Sequence, residues 1–149
     1  METKFYLCNI CGNVVVKVVD SGIVPVCCDE EMEEITPNLS EGKTEYHLPV
    51  VERVDDWHVC VKVGKEPHPM TKEHYIQFVY VETSHGGHLH YFEPGQPAEF
   101  IFGCNVCKIK AVYAYCNIHG LWKTMIDSKY LDAEKSGQSC KPKSRCGKD

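Results

Sequence analysis

The chain has 149 residues, 43% of them hydrophobic and 25% charged, and a formal net charge of −5. That length accommodates one ordinary domain, or a small one followed by a medium one. No apolar run approaches the ~18 residues of a membrane helix, the start "METKFYLCNI" lacks the basic and apolar regions of a signal peptide, and the acidic balance argues against nucleic acid as a partner. A cytoplasmic protein with no membrane partner is therefore expected. In a reducing cytosol, ten cysteines and eight histidines point to metal or redox chemistry.

Residues 1–36 read as a separate small unit. "KFYLCNICGNVVVKVVDSGIVPVCCDEEM" alternates short β-branched runs with the turn signals Gly12-Asn13 and Asp20-Ser21-Gly22. So short a segment needs a staple to fold. Cys8-x-x-Cys11 followed by the adjacent pair Cys27-Cys28 supplies four thiolates, a set that selects zinc or iron in a tetrahedral site. A disulfide within the adjacent pair would be strained.

"TPNLSEGKT" reads as a linker. Residues 37–126 read as the second domain, and from residue 45 on it reads as strands: "WHVCVKV" alternates, "YIQFVYVET" and "HLHYFE" flank a turn at His85-Gly86-Gly87, and "EFIFG" and "KIKAVYAYC" continue the pattern. With no helical period anywhere, the expectation is an all-β protein, a small metal-bound β unit followed by a β-sandwich or barrel. Residues 127–149, rich in Lys, Ser and Gly, are expected to form a mobile tail.

Within the larger segment, Cys116 and His119 sit on one short turn in "YCNIHG", His68 is bracketed by Pro67 and Pro69, His74 follows after five intervening residues, and His47 stands just before Pro49. The prolines oppose a helix and present His68 from a stiff loop. Four imidazoles and one thiolate exceed a four-ligand structural zinc set, leave one position of an octahedron open, and suit iron. His85, His88, His90 and His58 read as polar residues on exposed strands and turns, although His88 and His90 share a strand face. Cys60 reads as a small packing residue. Cys104, Cys107, Cys140 and Cys146 are read as free thiols, with a third metal site or stress-induced disulfides as the alternatives. The basic fragment "KPKSRCGK" reads as part of a solvated tail.

Two resemblances arise from these residues. The segment around Cys8, Cys11, Cys27 and Cys28 resembles the desulforedoxin family, which implies one iron in four cysteines (a site zinc could also fill), electron transfer and a homodimer. "EYHLP", "PHPM…EHY" and "YCNIHGLW" resemble the superoxide reductase family in its two-domain form, desulfoferrodoxin. That resemblance implies an immunoglobulin-like sandwich whose catalytic iron is held by His47, His68, His74, His119 and Cys116. It further implies one-electron reduction of superoxide to hydrogen peroxide, two irons per chain, and re-reduction by a rubredoxin-type donor. It places Glu45 as the carboxylate that closes the sixth position of the resting ferric iron. Glu45 would share a face with His47 on an extended segment. The chain departs from the family at Tyr46, where many members have lysine, so Lys72 is the expected source of positive potential, with Lys43 and Lys123 as alternatives. A non-catalytic iron electron carrier and a zinc-stabilised binding module are the competing readings.

Overall fold

The computed structural model describes residues 2–39, 46–103 and 108–127. All of their regular structure is β apart from a single 3₁₀ residue, and among these described residues no helix is long and apolar enough to cross a membrane. The chain divides into two compact units between Thr36 and Pro37. The expected tail beyond Asp127 lies outside the described residues.

In the first unit, β1 (Phe5–Leu7) is the centre of a three-stranded antiparallel sheet, between β2 (Val14–Val16) and β5 (Glu33–Ile35). A second hairpin pairs β3 (Val26–Cys27) with β4 (Glu30–Glu31). Its two-residue turn is Cys28-Asp29, with φ of 56° and 66°, the left-handed pair that a tight hairpin requires and that Asn-Gly usually supplies. The buried cluster is small, namely Tyr6, Cys8 and Met32 with Cys27 against them. So little apolar area does not outweigh the entropy of ordering such a segment, and a metal staple is physically reasonable. The Asp20-Ser21-Gly22 turn forms as the sequence indicates: the Asp20 carboxylate accepts from the Gly22 N–H at 2.9 Å and from Lys17 at 2.6 Å, with Lys4 at 3.1 Å.

The described residues of the second unit form a sandwich of seven strands. One sheet has the order β10 (Glu99–Gly103), β7 (His58–Val63), β6 (Pro49–Asp55). The other has the order β12 (Gly120–Met125), β11 (Ile109–Cys116), β8 (Ile76–Thr83), β9 (Gly86–Tyr91). All pairings are antiparallel, and the division of seven strands into three and four is that of immunoglobulin-like sandwiches. Val51, Val59, Val61 and Val63 from the first sheet meet Val79, Val81, Val112 and Ala114 from the second in the core. β12 also comes up against β6, where the Thr124 hydroxyl donates to the Pro49 carbonyl at 2.8 Å. That contact sets the site, because Cys116 ends β11 and His47 lies two residues before β6.

Three local readings are corrected. The β8–β9 turn is Ser84-His85, not His85-Gly86-Gly87; Gly86 and Gly87 already belong to β9. Gly87 is there for packing, because a Cβ on it would lie 2.1 Å from the ring of Tyr80 across the pair. His90 is not an exposed polar residue, since its ring stacks flat on Phe100 at 4.0 Å between the two sheets' edges, and the desolvation holds its pKa below the ordinary histidine value. Cys60 is fully buried, as a packing residue should be, but it is disulfide-bonded. Cys104, Cys107, Cys140 and Cys146 lie outside the described residues.

Candidate metal centres

The first centre gathers Cys8, Cys11, Cys27 and Cys28, whose sulfurs all lie within 4.8 Å of one another; all four are free thiols. Two turns build it. The C-x-x-C turn closes through Gly12 N–H to Cys8 O at 2.9 Å and Cys8 N–H to Asn13 O at 2.8 Å, with Gly12 at φ 86°. The β3–β4 turn places Cys27 at a strand end and Cys28 in the first left-handed position. Adjacent side chains on a regular strand point to opposite faces; the turn lets both reach one point. Cys11 Sγ lies 3.6 Å from Cys27 Sγ, and Cys27 Sγ 3.9 Å from Cys28 Sγ. The charges follow from this crowding. Backbone N–H groups, that of Cys11 foremost, hold Cys8 down at about 6, while the neighbouring sulfurs, Cys11 first, push Cys28 up to about 12. A thiolate set that resists its own ionisation is stabilised by a cation at its centre.

The second centre has the geometry of a closed ring of imidazoles. Centroids are 4.9 Å apart for His47–His68, 4.8 Å for His68–His74, 5.0 Å for His74–His119 and 4.8 Å for His119–His47. Each pair meets edge to face. Within this ring, the ligand atoms of His47, His74, His119 and Cys116 lie within 4.8 Å of one another. His47 Nε2 faces His119 Nδ1 at 3.1 Å, and Cys116 Sγ lies 3.8 Å from the same Nδ1. The His68 Nδ1–H donates to the Pro69 carbonyl at 2.7 Å, which leaves the Nε2 lone pair free. That Nε2, and the Nε2 of His74, are buried and have no hydrogen-bond partner. Buried polar atoms without partners are costly, and a cation among them removes the cost. Desolvation holds His68 down at about 4 and also lowers His74, so both are neutral imidazoles, the form that binds metal.

Several residues hold this set, and the sequence reading missed two of them. The first is Asn117. Its backbone N–H donates to Tyr75 O at 3.2 Å, its Oδ1 accepts from Tyr75 N–H at 2.9 Å, and its Nδ2 donates to Glu73 O at 3.1 Å. It thereby joins the loop of His74 to the turn of Cys116 and His119. The second is Trp122, whose indole stacks on His47 at 4.5 Å with 12° between planes and whose Nε1–H donates to His119 O at 3.1 Å. A local turn in which Thr71 bonds reciprocally with His74 fixes the other flank. The His119 N–H donates to Cys116 Sγ at 3.3 Å, a bond that steadies a thiolate.

Of the remaining candidates, Glu45 and Lys43 lie outside the described residues. Lys72 is exposed in the Thr71–His74 turn. Lys123 lies with its ammonium 5.2 Å over the Tyr113 ring, on the sheet face opposite Cys116, because Lys123 and Tyr113 are paired in the register. His58 bonds Asp55 at a turn. His88 and His90 do share a face, with centroids 6.1 Å apart, but pack against Phe102 and Phe100.

The profile of the desulfoferrodoxin family matches residues 39–125, and that of the desulfoferrodoxin N-terminal domain matches residues 1–35. The chain belongs to the desulfoferrodoxin family. A desulfoferrodoxin of Desulfarculus baarsii is 39% identical over 121 residues, covering 80% of this chain and 94% of that protein. A desulfoferrodoxin homologue of Archaeoglobus fulgidus is 38% identical over 122 residues, covering 81% and 95%. Among solved structures, the superoxide reductase of Treponema pallidum superimposes with a TM-score of 0.70 at 29% identity, covering 83% of this chain and 98% of that one. This member of the desulfoferrodoxin family is thus a homologue of superoxide reductases, with a four-cysteine cluster in one unit and a three-histidine, one-cysteine cluster in the other.

Proposed function

We propose that the chain is a superoxide reductase whose catalytic iron is held by His47, His68, His74, His119 and Cys116. The observation that carries this reading is the closed ring of four imidazoles with Cys116 Sγ beside it. His68 completes that ring of centroids, and its buried Nε2 has no hydrogen-bond partner. Five protein ligands of mixed nitrogen and sulfur suit an octahedral iron better than a saturated zinc. The reaction is one-electron reduction of superoxide, with uptake of two protons, to hydrogen peroxide. When bound, the iron supplies that electron, and the Cys116 thiolate makes it electron-rich, as in thiolate-ligated haem.

The chain's own residues do the rest. His68 and Cys116 are buried, which excludes water from one side of the ring and fixes the ligand orientations. Superoxide is anionic and the protein carries a net charge of −5, so approach needs local positive potential. Lys72, exposed beside His74, is the proposed source. Tyr46 can donate a hydrogen bond but brings no charge at neutral pH. Glu45 is proposed as the carboxylate that would bind the iron in its oxidised resting state.

Residues 37–126 form the catalytic domain in this reading, and residues 1–36 a desulforedoxin-like domain with a second iron, or zinc, in Cys8, Cys11, Cys27 and Cys28. A rubredoxin-type protein is the proposed donor, the cytoplasm the proposed location, and a homodimer the proposed assembly. Protein purified without oxygen is exposed to a known superoxide flux with a reductant present. One peroxide per superoxide and no oxygen supports the reading. One peroxide per two superoxides with release of oxygen is dismutation and refutes it.

A further inference from the structure

The geometry points to Trp122 as a positioning residue for the histidine–cysteine centre, one that sets how tightly iron is held and at what potential. The inference rests on the ligand set proposed above. Its basis is strand register. In β12, Trp122 pairs with Ala114 and Gly120 with Cys116, so Trp122 shares the inward face on which Cys116 stands. Thr124, two residues on, shares that face and is tied to the carbonyl of Pro49. His47 lies two residues before Pro49, and the register that ties Thr124 to β6 therefore brings the indole flat against the His47 ring.

The same indole reaches a second ligand. Its N–H donates to the backbone carbonyl of His119, while its plane covers His47. His47 and His119 are neighbours in the ring of imidazoles, with their site-facing nitrogens 3.1 Å apart. One rigid side chain thus sets the tilt of one imidazole and the backbone that carries the next. Trp122 is itself held from its other edge. Asn38 donates its N–H to Leu121 O at 2.9 Å and accepts from Lys123 N–H at 2.9 Å, bracketing Trp122 as a parallel bridge. A tryptophan restrained on both sides orients ligands as the carboxylates and carbonyls behind metal-bound histidines do in other centres.

The test uses the full chain with Trp57, an exposed residue at the β6–β7 turn, changed to Phe so that Trp122 is the sole indole. In this parent, Trp122 emission is expected to fall as ferrous iron fills the centre without oxygen. Trp122→Leu and Trp122→Phe are then compared by the rate at which a ferrous chelator strips the iron, by the midpoint potential of the centre, and by metal-free melting. Leu is expected to release iron about 10–100-fold faster and to shift the potential. Phe, which keeps a flat ring over His47 but no N–H, is expected to recover most of that difference. The inference is overturned if Leu matches the parent in release rate and potential. It is equally overturned if Phe behaves no better than Leu, because a flat ring over His47 then sets neither the release rate nor the potential. A parent that takes up no iron at Cys116 refutes the ligand set itself, and this inference with it.

Discussion

Replacing Asn117 with Ala removes two of the three bonds that join the His74 loop to the Cys116–His119 turn: Tyr75 N–H to Oδ1 at 2.9 Å and Nδ2 to Glu73 O at 3.1 Å. The backbone bond from Asn117 N–H to Tyr75 O remains. Both lost bonds are solvent-exposed, so each contributes toward the lower end of the ~0.5–1.5 kcal/mol range for such bonds. Together they amount to about 1–2 kcal/mol, or roughly 5–30-fold in an equilibrium constant. The loss falls on preorganisation. Without the clamp, His74 and the Cys116–His119 turn must be brought together by the metal itself. The expected result is a 5–30-fold weaker hold on iron in competition with a ferrous chelator, with the four-cysteine centre unchanged as an internal reference. Asn117→Asp keeps the Tyr75 acceptor and loses the Glu73 donor, so it should fall between the two or nearer to Ala. An Asn117→Ala protein that binds iron as tightly as the parent refutes the clamp.

Three further outcomes are expected. Asp29→Gly relieves a non-glycine residue at φ 66° in the β3–β4 turn and should stabilise the metal-loaded first unit by about 0.5–1 kcal/mol, read from the urea midpoint at which it releases its metal. Gly64→Ala places a Cβ 2.5 Å from the carbonyls of Tyr46 and Glu66 at φ 86°. It should cost at least ~1–3 kcal/mol and, because both carbonyls neighbour ligand-bearing loops, weaken iron binding too; unchanged melting would count against the close approach. The Asp20 carboxyl is held below its ordinary pKa by Lys17 first, then by the Gly22 N–H and Lys4. A depressed carboxylate stabilises the fold above its unfolded pKa of ~3.9 and loses that contribution as pH falls. The parent should therefore exceed Asp20→Asn in stability at neutral pH and converge with it in acid, and parallel stability-against-pH curves would contradict this.

Much of the site was legible in the sequence because metal chemistry restricts residue types sharply. The C-x-x-C turn with Cys27-Cys28, and His47, His68, His74, Cys116 and His119 on loops between strand patterns, could be read before any coordinates. What stayed hidden depends on contacts between distant segments. Asn117 and Trp122 lie inside a quoted motif, yet their roles follow from the register of β12 on β11 and from the approach of the Tyr75 loop. The stack of His90 on Phe100 joins edges of two different sheets, and strand alternation within β9 carries no trace of it. Gly87 was misread as a turn residue because glycine serves turns and close ring packing alike. Cys60 gave no sign of its disulfide, since a single cysteine within an alternating strand carries no spacing signature.

The most direct test of the central claim is to identify the atoms around the second metal in anaerobically purified protein, by anomalous diffraction at the iron edge. Iron is expected there, bound by Nε2 of His47, His68 and His74, Nδ1 of His119 and Sγ of Cys116. A zinc ion at that place, or a metal held by His47, His74, His119 and Cys116 with His68 turned away, would contradict it.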